Sequence, residues 1–272
     1  MAGKARQGSA TEGAARLARV LGRDGGKALR LAPRVRAKLR PSDVHDLRVL
    51  TRRLRAMIWV ARRLSSPSAC GKLRRVLRRW GQVLGEQRML DVALEDAARY
   101  GLPAGTLAAR RAASGRLLRQ ELTAGRCREL AALLRKAARK LARRTPGREP
   151  RVPGARAARG LAADLARRRK DLRAALIAAP RGKEDLHRLR IEAKKMRYVL
   201  DALSLRGAVL KQLQAHLGRV HDLEVLRQLL GGHPDVARDE ARARDAALRV
   251  MRAAVARAER ELAKAAGIED LS

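Results

Sequence analysis

Residues 44–55 read Val-His-Asp-Leu-Arg-Val-Leu-Thr-Arg-Arg-Leu-Arg, and residues 186–197 read Leu-His-Arg-Leu-Arg-Ile-Glu-Ala-Lys-Lys-Met-Arg. The second stretch repeats the first at a constant offset of 142. His45 matches His187, Arg48 matches Arg190, and Arg52-Arg53 matches Lys194-Lys195. Arg55 matches Arg197, while Leu47, Val49 and Leu54 match Leu189, Ile191 and Met196. At about 100° per residue, His45, Arg48, Arg52 and Arg55 share an arc of roughly 80° on one helix. Leu47, Leu50, Leu54 and Ile58 fall on another arc, which must face a core. His187, Arg190, Lys194 and Arg197 repeat the cationic stripe, and Leu189, Met196, Leu200 and Leu203 repeat the apolar one. Each stretch is thus read as an amphipathic helix that carries cations about one turn apart.

A second match follows in each half. Leu84-Gly85-Glu-Gln-Arg-Met-Leu-Asp-Val92 aligns with Leu217-Gly218-Arg-Val-His-Asp-Leu-Glu-Val225, at an offset of 133. Two ordered matches argue for a duplicated helical unit. Between the halves, residues 145–154 hold three Pro and two Gly, which cannot continue a helix. The remaining chain is rich in Ala, Leu, Arg, Glu and Lys, with apolar residues at three- and four-residue steps, and shows no strand alternation. The expected fold is all-α. Residues 1–12 read as a flexible basic tail, residues 13–145 as a first helical bundle, 146–154 as the linker and 155–272 as a second bundle. A first helix is expected from about Ala14, weak at Gly25-Gly26. Further starts are expected at Pro41-Ser42 with Ser42 as N-cap, at Ser66-Pro67, and near Ala155, Lys183, Leu205 and Val220. A break is expected near Gly125, and a last long helix after Pro234.

Charge sets the partner class. The 272 residues hold 64 Lys+Arg against 27 Asp+Glu, a formal net charge of +37. Residues 1–145 carry +26 of it and residues 155–272 carry +10. Self-repulsion of this size calls for a polyanion: nucleic acid, an anionic surface or an inorganic polymer. Hydrophobic residues are 46% of the chain, enough for a core rather than a disordered tail. No apolar run is long enough for a membrane span, and the first residues lack the apolar stretch of a secretory signal. Cys70 and Cys127 stand alone and read as reduced thiols of a cytoplasmic protein. Rows of guanidinium and ammonium groups suit successive phosphates, because Arg holds phosphate oxygens bidentately and Lys acts as a point charge. Protonated His adds donors, and a nearby phosphate raises its pKa.

At these residues the sequence resembles the CHAD family, the conserved-histidine alpha-helical domain. The resemblance rests on Val-His-x-Leu-Arg-Val-x-x-Arg-Arg-Leu-Arg at 44–55, Leu-His-x-Leu-Arg-Ile-x-x-Lys-Lys-Met-Arg-Tyr at 186–198 and the two Leu-Gly segments. It spans about residues 14–265. It implies two pseudo-symmetric helical bundles, about four helices each, facing each other across a basic cleft or pore. It also implies binding of inorganic polyphosphate and association with polyphosphate granules. The binding residues carried over are His45, Arg48, Arg52, Arg53 and Arg55, then His187, Arg190, Lys194, Lys195 and Arg197, with Arg88 and His221 added from the Leu-Gly segments. One departure is visible: Met89 stands where the second segment has Asp222, the acid usual in the family. If that acid positions the preceding cation, Arg88 is held less tightly than His221.

Other chemistries lack their residues. There is no phosphate-binding Gly-x-x-x-x-Gly-Lys-Ser/Thr loop, no Gly-x-Ser-x-Gly, no His-Glu-x-x-His and no zinc spacing. Two-metal phosphoryl chemistry needs convergent carboxylates, and none lie beside the cationic stripes. A binding protein without cofactor or metal is therefore expected, not an enzyme. Nucleic acid is the alternative ligand. Single-strand readers stack bases on aromatic rings, however, and this chain has only Trp59, Trp80, Tyr100 and Tyr198. Weak non-specific nucleic-acid binding is expected from the charge alone.

Overall fold

Proline opens four of the helices in this chain. Its fixed φ suits the first helical position, where no N–H partner is needed. The computed structural model describes residues 2–64, 67–142, 153–202 and 207–266. Among them lie nine α-helices: α1 (Ala2–Lys38), α2 (Pro41–Leu64), α3 (Pro67–Arg99), α4 (Gly105–Glu121), α5 (Ala124–Ala142), α6 (Pro153–Ala178), α7 (Lys183–Ala202), α8 (Lys211–Leu230) and α9 (Pro234–Ala266). Two 3₁₀ turns, Ala179–Arg181 and Gly207–Leu210, precede α7 and α8, and no strand is present among the described residues. The all-α expectation holds.

Several boundaries differ from expectation, each for a local reason. α1 begins at Ala2 instead of near Ala14. A nucleated helix propagates cheaply through residues such as Ala, Lys and Arg. α1 also continues through Gly25-Gly26. A Cβ on Gly25 would lie 2.7 Å from Leu134 Cδ1 of α5, so this glycine admits a packing neighbour and does not end the helix. Ser42 is not an N-cap: α2 starts at Pro41, and the carbonyl of Arg40 accepts the Val44 N–H at 3.0 Å. The turn between α4 and α5 falls at Leu122-Thr123, just before Gly125, and Thr123 accepts the Cys127 N–H at 2.9 Å. No helix starts at Val220, which is buried midway along α8. Ser66, Leu203, Leu205 and linker residues 146–152 lie outside the described residues.

The chain forms two compact units. Unit 1 comprises Met1–Arg88 and Ala113–Ala163; unit 2 comprises Met89–Ala112 and Asp164–Ser272. In unit 1, α1 packs on α2 and α5. Leu21, Ala28 and Val35 of α1 are fully buried, as are Leu47, Leu54 and Ile58 of α2 and Leu73, Leu77 and Leu84 of α3. In unit 2, Leu189, Met196 and Leu200 of α7 pack with Leu172 of α6, Leu213 and Leu217 of α8 and Met251 and Val255 of α9. Of the expected apolar stripes, Leu47, Leu54 and Ile58 and then Leu189, Met196 and Leu200 face cores, which fixes the azimuth of the cations, while Leu50 is only half-buried. Unit 2 has a second cluster. Leu90, Ala93 and Ala97 from the end of α3, with Leu107 of α4, pack against Leu223, Leu226 and Val236. Residues 89–112 thus complete the core of the C-terminal helices.

Candidate functional site: two cationic helix rows

Unit 1 holds His45, Arg48, Arg52, Arg53 and Arg55 on α2 and Arg88 on α3. The two helices run antiparallel at this face. A Cβ on Gly85 would lie 3.9 Å from Arg48 Nε, and one on Gly81 would lie 2.9 Å from Arg55 Nη1. The glycines leave room for the α2 guanidinium groups to lie across α3. His45 sits at the other end of the row. Its pKa is pushed below the ordinary histidine value by partial burial first, then by Arg88, Arg52 and Arg48, with Asp46 opposing. After burial, the three guanidinium groups that would hold an anion are what disfavours protonation of this imidazole. Burial, aided by Arg78, likewise pulls Arg55 below the usual guanidinium range. Arg53 points elsewhere: it pairs at 3.2 Å with Asp24 of α1, a carboxylate only 1% exposed.

Unit 2 holds His187, Arg190, Lys194, Lys195 and Arg197 on α7 and His221 on α8. The His187 and His221 rings are 5.3 Å apart, tilted by 48°. They line a small pocket with Arg190, Glu224 and Glu240. Glu240 is held there by Lys183 and by Arg227, the latter at 3.2 Å. Lys195 pairs with Glu192 at 2.6 Å on the same helix. Arg197 is occupied on all sides. Its Nε donates to Gln214 Oε1 at 2.7 Å, its Nη2 donates to the Tyr198 hydroxyl at 2.8 Å, and Asp201 lies 3.8 Å from Nη1. Gln214 Nε2 donates to the Ala193 carbonyl at 3.0 Å, which fixes the amide.

The structure thus brings together His45, Arg48, Arg52, Arg55 and Arg88 in unit 1. In unit 2 it gathers His187, Arg190 and His221 around one pocket. Lys194 lies on α7 between Arg190 and Arg197 and is half-buried. Arg53, Lys195 and Arg197 are engaged by their own units. Met89 is explained by packing: it lies half-buried against the cluster of Leu90, Leu223 and Leu226 in unit 2. Among the described residues no group of three or more His, Cys, Asp or Glu could hold a metal ion. No helix among them is long and apolar enough to cross a membrane.

Helix rows of this kind, repeated in two all-α units, mark a basic helical domain. The CHAD domain family matches residues 19–231, and the chain belongs to that family. Two solved structures share its fold. The CHAD domain from the plant Ricinus communis superposes with a TM-score of 0.56 at 22% identity, over 88% of this chain and 91% of that one. PptA from Streptomyces chartreusis gives a TM-score of 0.56 at 20% identity, over 94% of this chain and 98% of that one. No curated protein matches the sequence.

Proposed function

We propose that this protein binds inorganic polyphosphate through the cationic rows of α2 and α7, and that it thereby associates with polyphosphate granules. Family membership supports the ligand, since CHAD domains bind polyphosphate in general. The observation that carries the reading is the repeated cross-helix pairing. Arg88 acts on the charge of His45 where the second unit sets His221 against His187, and Arg55 crosses to Gly81 as Arg197 crosses to Gln214. Each unit therefore offers a rigid row of donors at helical spacing, which a linear chain of phosphates can meet without any base to recognise. The binding set is His45, Arg48, Arg52, Arg55 and Arg88 in unit 1, with His187, Arg190, Lys194 and His221 in unit 2. The reading is binding without catalysis. Glu224 and Glu240 both line the unit 2 pocket, but Lys183 and Arg227 pair with Glu240, which holds that carboxylate away from a metal-ion role.

Calorimetric titration with long-chain polyphosphate tests the site. The quadruple variant Arg48→Ala, Arg52→Ala, Arg190→Ala, Lys194→Ala is expected to lose most of the affinity. Unaltered affinity would overturn the assignment. Competition separates the ligands: duplex DNA is expected to displace polyphosphate poorly at equal phosphate concentration, and equal displacement would favour the nucleic-acid reading.

A further inference from the structure

The two rows share one spacing rule. On α2 the row positions are 45, 48, 52 and 55; on α3 the facing positions are 88, 85, 81 and 78. In an antiparallel pair these spacings coincide, and the structure follows them: Arg48 lies over Gly85 and Arg55 over Gly81, and Arg88 acts on the charge of His45. Arg78 is the last member of the α3 set, one turn from Gly81 on the same face. It is exposed, and it is close enough to Arg55 to act on its charge. Among the described residues no carboxylate pairs with Arg55 or Arg78. Like charges held side by side without an acid are costly unless an anion joins them.

In unit 2 the facing set is His221, Gly218, Gln214 and Lys211. The row differs at one decisive place, because Gln214 stands where α3 has Gly81. Its amide accepts the Arg197 Nε–H at 2.7 Å and is itself anchored on the Ala193 carbonyl. Tyr198 takes a second nitrogen of the same guanidinium, whose carbon lies 4.5 Å from the ring centroid.

We propose that Arg78 is a further polyanion-binding residue of unit 1, and that the residue facing the fourth row cation decides its use: Gly81 leaves Arg55 for the ligand, whereas Gln214 ties Arg197 into the protein. This rests on the polyanion reading above and makes the unit 1 row the stronger of the two.

The test is the salt dependence of long-chain polyphosphate binding to the full chain, because each phosphate-bound cation adds about one to the slope of log affinity against log salt. Arg78→Ala and Arg55→Ala are each expected to lower the slope by about one, and Arg197→Ala is expected to leave it unchanged. In a Gln214→Ala background, which keeps a good helix former, Arg197→Ala is expected to lower it by about one. Gly81→Gln is expected to make Arg55→Ala silent. Helical circular dichroism and melting curves confirm that each variant folds. A wild-type slope for Arg78→Ala, or an equal loss for Arg197→Ala and Arg55→Ala in the parent, would overturn the inference while leaving polyphosphate binding intact. A parent protein that binds no polyphosphate would overturn both.

Discussion

On the proposed polyphosphate reading, His45 couples binding to pH. In the free protein its pKa lies below the ordinary value, from burial and from Arg88, Arg52 and Arg48. A phosphate in the row reverses the charge around the ring and raises that pKa. Ligand binding therefore takes up a proton. Affinity is expected to rise as pH falls through the pKa of the bound state, with the full gain below the pKa of the free state. Titrations across pH 5 to 8 check the slope, and His45→Gln should flatten it. Stability of the free protein moves the other way. A depressed histidine pKa means that the unfolded chain binds more protons, so this contribution is present at high pH and lost as pH falls below the unfolded value. A melting temperature that dropped with acid equally in His45→Gln and the parent would contradict this. The imidazole and its row were legible in the sequence, because the His motif occurs twice at one spacing. The cross-helix partners that occupy Arg53 and Arg197 were not. Asp24 is 29 residues from Arg53, and Gln214 is 17 from Arg197, and no periodicity links such pairs.

Elements are set by their glycines and by their buried ion pairs. Gly25 allows Leu134 to approach α1, and a Cβ there meets only the tip of that flexible side chain. Gly25→Ala is expected to be close to neutral, since the gain in helix propensity offsets the crowding. Gly25→Ile is expected to destabilise unit 1 by about 1–3 kcal/mol through overpacking. Urea denaturation of both variants distinguishes this from a glycine needed for a bend. In unit 2, Arg219 Nη1 reaches both oxygens of Asp96 at 2.6 and 2.7 Å, and Nη2 donates to the Tyr100 hydroxyl at 3.2 Å. Tyr100 in turn donates to Asp239 at 2.6 Å. Asp96 is only 6% exposed. Arg219→Ala strands that carboxylate and is expected to cost about 2 kcal/mol, measurable as a lowered urea midpoint with unchanged m-value. Helix existence was readable from composition and proline placement. Helix ends were less so, because Gly25-Gly26 and Val220 look like boundaries until their packing partners are known.

At the scale of the whole chain, the units do not follow the linear order of the sequence. Residues 89–112 belong with Asp164–Ser272, where Leu90, Ala93, Ala97 and Leu107 close a core with Leu223, Leu226 and Val236. A fragment of residues 155–272 therefore lacks part of its own core. It is expected to bind a hydrophobic dye and to aggregate, and a peptide of residues 89–112 added in trans should suppress both. A monomeric fragment that binds no dye would show that the segment is dispensable. The charge belongs to this scale too. The +37 of the chain supplies a long-range field that speeds encounter with any polyanion and is screened by salt. On the proposed reading, the short-range rows supply the grip.

The sequence by itself determined the helical class, the two His-led cationic stripes, the apolar stripes behind them and the kinship with the CHAD family. All of these are properties of local spacing, which a helix converts directly into faces. Only the tertiary structure decided which cations of those stripes are tied across helices, as Arg53 is to Asp24 and Arg197 to Gln214. That depends on acids, amides and glycines on other helices, and their proximity is made by packing alone. It also decided that the end of α3 completes the core of unit 2, because hydrophobic burial selects neighbours by fit in space and is indifferent to their distance along the chain.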